Sequence, residues 1–246
     1  MWILFSPEYL EYTLMGLILL PGLIFAIYAS SKVNSTFNKY NQVLSSKGLT
    51  GADVSRKILQ AKGITDIKIV RSSNTELSDN FNPSTKKIVL SSRVYDNSTI
   101  SALGVAAHET GHAIQYSEGY APLKIRTVLA KVSSFMSYLV WPLILIGIVL
   151  DIAYIGGIVG DVFLWLGVGF FSVSLIFSLI TLPVELNASK RALELLVSCN
   201  CLDTMEVKGA QKVLSSAAMT YIAAVVVSAL ELLRFVLFFL VRSRRD

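Results

Sequence analysis

Histidine and cysteine are scarce in this chain of 246 residues, with two of each. The cysteines, Cys199 and Cys201, stand one residue apart, too few and too close for a disulfide framework or a four-cysteine zinc site. They read as reduced thiols in a cytosolic segment. No lysine or arginine precedes the first apolar run in MWILFSPEYLEY, so the basic region of a secretory signal peptide is lacking and the first segment is expected to be a retained anchor. No nucleic-acid motif accompanies the net charge of +5. No inverted-repeat partner accompanies the one apolar segment that carries charges, which argues against a transporter.

What the chain has in plenty is apolar sequence. A hydrophobic content of 53% and a mean hydropathy of +0.59 exceed those of an ordinary soluble fold. Tyr12 to Ala29, Val132 to Leu150 and Val162 to Leu182 are uncharged runs of 18, 19 and 21 residues, each near the length that crosses a hydrocarbon core. A fourth, Tyr221 to Val241, carries Glu231 and Arg234, which at i and i+3 can pair on a face turned toward protein. It is expected to span, with an amphipathic interfacial helix as the alternative.

The two histidines, His108 and His112, lie in HETGH with Glu109 directly after the first. On a helix, positions i and i+4 share a face, so both imidazoles can reach one metal while the glutamate faces the water bound there. This is the HExxH pattern of zinc metalloproteases. Catalytic zinc takes three protein ligands and leaves one position for water, so a third ligand of another residue type is needed. A metzincin is excluded, because its third histidine would fall at Glu118.

The polar stretch of about 31–126 is the catalytic-region candidate. Thr50 can cap a helix from about Ala52 to Lys62 ahead of Gly63, Ile67 to Val70 alternates as a strand, and Ser72 to Lys87 reads as a loop. Ile88 to Leu90 is a second strand, followed by a helix from about Ile100 to Tyr116 capped by Asn97 or Ser98. That helix carries HETGH, and its small residues (Ala102, Gly104, Ala106, Ala107, Gly111, Ala113) suit close backbone approach on several sides. The strand before it can accept an extended peptide by edge addition. A second polar segment, about 183–219, opens at Pro183, which suits the start or a kink of a helix.

Of the downstream carboxylates, Glu185 stands at that helix start with Ala188 and Ala192 leaving one face narrow enough to pack against the motif helix. Glu185 is the expected third ligand and Glu194 the reserve. Lysine and arginine number 14 between residues 31 and 131 and four between 183 and 219, and none stand in the 151–161 turn. The positive-inside tendency therefore puts both polar segments in the cytoplasm, joined by a two-span hairpin. His108 and Glu185 share a metal only if an even number of spans separates them, and two do. Arg242, Arg244 and Arg245 disagree, since a crossing fourth segment would leave them outside. The net charge is read as orientation and affinity for anionic headgroups.

The runs DNFNPSTKKIVLSS, VAAHETGHAIQ, LPVELNASKRAL and MTYIAA, with a hairpin between the second and third, resemble the YugP-like family of bacterial membrane-bound neutral zinc metallopeptidases over nearly the whole chain. That family is similar in layout to HtpX-type and CAAX-prenyl-protease gluzincins, in which a glutamate on a later helix completes the zinc site; Glu185 sits at the matching position. Those relatives often carry an aspartate four residues after that glutamate, where this chain has Ser189, so Asn187 or Arg191 is expected to support the site instead.

The expected fold is a mainly α integral membrane protein with about four transmembrane helices and a small α+β zincin-like domain. Its parts are an anchor (1–30), a cytoplasmic catalytic region (31–126), a hairpin (127–182), a cytoplasmic helical segment with the third ligand (183–219), and a last transmembrane or interfacial helix with a basic tail (220–246). The expected function is a metalloendopeptidase of the bacterial inner membrane. His108, His112 and Glu185 hold one Zn²⁺ and Glu109 is the general base. Arg191, Tyr116 and Tyr120 are candidate oxyanion donors. Partners are peptide or protein substrates, membrane proteins among them, and the bilayer, with no nucleic acid. The alternative is a metal-binding membrane scaffold without proteolysis.

Overall fold

The computed structural model describes residues 16–72, 78–152 and 157–242. The amino-terminal residues that carry the signal-peptide reading, the start of the first apolar run, part of the 72–87 loop, part of the 151–161 turn, and Arg244 and Arg245 of the tail lie outside the described residues.

The protein is a mainly α membrane protein with a small α+β region. The chain divides into two compact units, one of Met1–Tyr28, Ile125–Thr181 and Tyr221–Asp246, the other of Ala29–Lys124 and Leu182–Thr220. Four long helices have residues in both: α1 (Leu20–Tyr40, after a 3₁₀ turn at Leu17–Leu19), and, further along, Ala121–Ile152, Gly157–Ser198 and Thr204–Arg242.

In the second unit, α2 (Gly51–Ala61) starts at a capping box. The Thr50 hydroxyl accepts from the Asp53 N–H at 3.2 Å, and the Asp53 carboxylate accepts from the Thr50 N–H at 3.1 Å. Such a cap contributes about 1 kcal/mol. The helix stops where Gly63 adopts a φ of +67°, a left-handed conformation that costs glycine little. Val54, Ile58 and Leu59 bury its inner face.

A three-stranded sheet follows, of β1 (Lys68–Arg71), β2 (Asn80–Asn82) and β3 (Lys87–Leu90), ordered β1-β3-β2. β1 runs parallel to β3 with Ile69 opposite Ile88, and β2 antiparallel with Phe81 opposite Ile88. The expected loop of 72–87 thus contains a strand. Both sides of β3 are taken, so the edge the sequence assigned to the strand before the motif helix belongs to β2 instead.

After the short α3 (Ser92–Tyr95) comes α4 (Ile100–Ser117), the motif helix. Its cap is Thr99, whose hydroxyl accepts from the Ala102 N–H, rather than Asn97 or Ser98. Asn97 is otherwise engaged, donating to the carbonyls of Ser92 and Arg93 at the end of α3, and the Ser98 carbonyl accepts from the Ser45 N–H. Ala102, Leu103, Ala106, Ala107, Ala113 and Ile114 of α4 belong to one apolar core with Ile58, Ile88, Leu90, Leu196 and Leu214.

The remaining helices are α5 (Ala121–Ile152), α6 (Gly157–Ser198) and α7 (Thr204–Arg242). α6 continues through Pro183, so Glu185 lies in mid-helix and not at a helix start as expected. Cys199 and Cys201, in the turn after it, are free thiols, and burial pushes the Cys201 thiol up.

In the first unit, α1, α5, α6 and α7 are each long and apolar enough to cross a membrane. Ile24, Trp141, Leu145, Trp165 and Leu179 are exposed, as lipid-facing side chains are. Val140, Ile144, Val168 and Phe235 pack inward, with Phe171 stacked on Phe235 at 5.0 Å between ring centres. Glu231 and Arg234 form the i, i+3 pair at 2.7 Å, with Arg234 buried.

Candidate metal centre

The close approach that builds the site is set by a glycine. A Cβ added at Gly111 of α4 would stand 2.8 Å from the Ala188 carbonyl oxygen of α6, inside ordinary contact. Ala188 and Ala192 are fully buried, as the narrow face expected of them requires. With the two backbones this near, side chains one turn either side of the contact meet.

His108 Nε2 lies 3.2 Å from Glu185 Oε2, and His112 Nε2 lies 3.3 Å from the same oxygen. The imidazoles stand edge-on, 4.7 Å between centres and 82° between planes. Two ligands held about 2.0–2.1 Å from a tetrahedral zinc are roughly 3.3 Å apart, so the two His–Glu separations match that spacing. The donor set also fits: two imidazole nitrogens and one carboxylate oxygen, all within 4.8 Å of one another. Glu185 is 2% exposed, and a carboxylate taken that far from water needs cationic or hydrogen-bonded company.

Each histidine is held from behind. The Ser189 hydroxyl lies 3.1 Å from His108 Nδ1. His112 Nδ1 lies 3.0 Å from Gln115 Oε1, and Gln115 Nε2 donates to the Val184 carbonyl and to Asn187 Oδ1, both at 2.9 Å. Asn187 Oδ1 also accepts from Arg191 Nε at 2.8 Å, and Arg191 pairs with Glu118 and stacks over the Tyr120 ring. Of Asn187 and Arg191, either of which was expected to support the site, Asn187 reaches His112 through Gln115, and Arg191 acts through Asn187. Ser189, which the sequence comparison set aside as a departure, touches His108 itself. Gln115 was missed, although its place three residues after His112 puts it on the same helical face.

Glu109 is half-buried, and its charge reaches Asp79 just ahead of β2. Burial pushes the Asp79 carboxyl up, and Glu109 pushes the same way, against hydrogen bonds from the Ser91 N–H (2.7 Å) and hydroxyl (3.2 Å). Glu194, the reserve ligand, is exposed beside Lys190 and is not brought to the centre. Of the candidate oxyanion donors, Arg191 is committed to Asn187 and Glu118, and Tyr116 packs against Phe81 at 5.6 Å.

Apolar helices of spanning length together with a His–His–Glu donor set define a membrane protein with three side chains that could hold a metal ion. The chain belongs to the family described as "putative neutral zinc metallopeptidase", whose model matches residues 15–240. It is 42% identical over 216 residues, covering 87% of this chain and 92% of the relative, to "putative membrane protease YugP" of Bacillus subtilis (strain 168). No solved structure matches it.

Proposed function

We propose that the protein is a membrane-embedded, zinc-dependent endopeptidase in which His108, His112 and Glu185 hold one zinc ion and Glu109 is the general base. The observation that carries this reading is the convergence of both Nε2 atoms on one carboxylate oxygen at 3.2 and 3.3 Å. Two bare ring nitrogens and a carboxylate repel one another unless they share a cation or a proton, and the spacing is that of zinc ligands.

Held by His108, His112 and Glu185, a zinc ion would supply Lewis-acid chemistry, making water a nucleophile near neutral pH and polarising the scissile carbonyl. Glu109, next to His108 on the helix, accepts the proton of the attacking water and passes it to the leaving amine. β2 is the sheet edge beside α4, fixed to it by the Phe81–Tyr116 contact, and an extended peptide adds along that edge. The substrates are peptides or proteins, membrane proteins among them. The lysines and arginines of the polar segments support a centre on the cytoplasmic side of the bacterial inner membrane.

The test is Glu109→Gln in the full chain purified in detergent. Bound zinc stays near one per chain while peptide cleavage falls by about 10²-fold or more. Undiminished cleavage would remove Glu109 from the mechanism, and a wild type that binds zinc without cleaving any peptide would favour the scaffold reading.

A further inference from the structure

The hydrogen-bond chemistry around Gln115 fixes which nitrogen of His112 carries its proton. Gln115 is fully buried, so each polar atom of its amide answers to a protein partner. One partner, the Val184 carbonyl, can only accept, so the amide nitrogen faces it. The other acceptor, Asn187 Oδ1, is oriented in turn by Arg191, whose guanidinium only donates. The usual ambiguity of an amide flip is thereby removed at both positions. The amide oxygen is left toward His112 Nδ1 at 3.0 Å, and it can only accept. A neutral His112 therefore carries its proton on Nδ1, and its Nε2 presents a lone pair toward Glu185.

We propose that Gln115 is a positioning residue that sets both the tautomer of His112 and the register of the two ligand-bearing helices. Val184 is the chain neighbour of Glu185, so one amide on α4 pins the α6 backbone next to the third ligand while it orients the second. The other histidine is held differently. A serine hydroxyl rotates and either donates or accepts, so Ser189 leaves the tautomer of His108 open. His112 is thus prepared for metal by the fold, whereas His108 adapts when metal arrives. The inference rests on reading His112 as a zinc ligand.

The test uses the full chain in detergent with ¹⁵N-labelled histidine. The sequence supplies only two imidazoles, which a His108→Gln variant assigns. In the metal-free wild type at a pH where the rings are neutral, His112 shows a protonated Nδ1 and a bare Nε2. Gln115→Leu removes the acceptor, shifts His112 toward the Nε2-protonated form, and weakens zinc binding in chelator competition by about 10- to 100-fold. Gln115→Glu, whose carboxylate accepts the same N–H, retains the wild-type tautomer. An Nε2-protonated His112 in the wild type overturns the proposal even if Gln115→Leu fails to fold, as does a Gln115→Leu protein with unaltered tautomer and zinc affinity. A wild type that takes up no zinc brings down the metallopeptidase reading, and the ring spectra still decide what Gln115 does.

Discussion

Asp79 shows how an acidic group near the centre is held without being a ligand. It sits at the mouth of β2, accepts two hydrogen bonds from Ser91, and is pushed up first by burial and then by the Glu109 charge. A carboxyl raised in the folded state binds its proton more tightly there than in the unfolded chain. Its contribution to stability is therefore complete below the ordinary aspartate value and is lost as pH rises through the raised one. Asp79→Asn, which cannot ionise, lacks that loss. The melting temperature of the wild type relative to Asp79→Asn should fall as pH is raised from the acid side toward neutrality, and a difference that stays flat or grows would show that folding does not raise the Asp79 carboxyl. The same region explains why the candidate ligands were readable and the side chains behind them were not. A histidine pair at i and i+4 with glutamate between them is a rare pattern in a chain with two histidines. Glutamine and serine serve as surface residues so often that only the burial of Gln115, and the bond from Ser189, give them meaning.

The helices α4 and α6 form one device, and Gly111 is its tightest point. Gly111→Ala would put a methyl 2.8 Å from the Ala188 carbonyl oxygen and 3.4 Å from its carbonyl carbon, and neither backbone can yield as a flexible side chain would. The variant should unfold about 1–3 kcal/mol more easily in denaturant and bind zinc more weakly. Unchanged stability would mean the two helices stand further apart. Among the elements, α2 was legible because Thr50 marks its start by answering a local backbone donor, whereas the cap of α4 was read one or two residues early, the residue that answers its first donors being Thr99. β2 was not, since Asn80-Phe81-Asn82 offers one apolar residue and is made a strand by pairing with β3, a partner the local sequence does not announce. The continuity of α6 was hidden by Pro183, whose fixed φ suits a first helical turn as well as a helix interior that goes without one hydrogen bond.

For the molecule as a whole, the membrane class follows from composition, while the proposed orientation rests on where the charges stand. A membrane-impermeant maleimide applied to intact cells should label a cysteine introduced at Gly156, in the 151–161 stretch that lacks lysine and arginine, and leave the native Cys199 untouched until the membrane is opened. The reverse pattern would turn the protein over and place the centre outside. The two units divide the labour between hydrocarbon and water, yet each of the four long helices has residues in both. The donor atoms come from chain segments separated by 73 residues between His112 and Glu185, with both hairpin spans in that interval. A ribosome therefore finishes the two histidines well before it reaches the glutamate. Between those two moments the nascent chain holds two of the three proposed ligands, so the order of synthesis withholds a complete set until the apolar segments between them have been made.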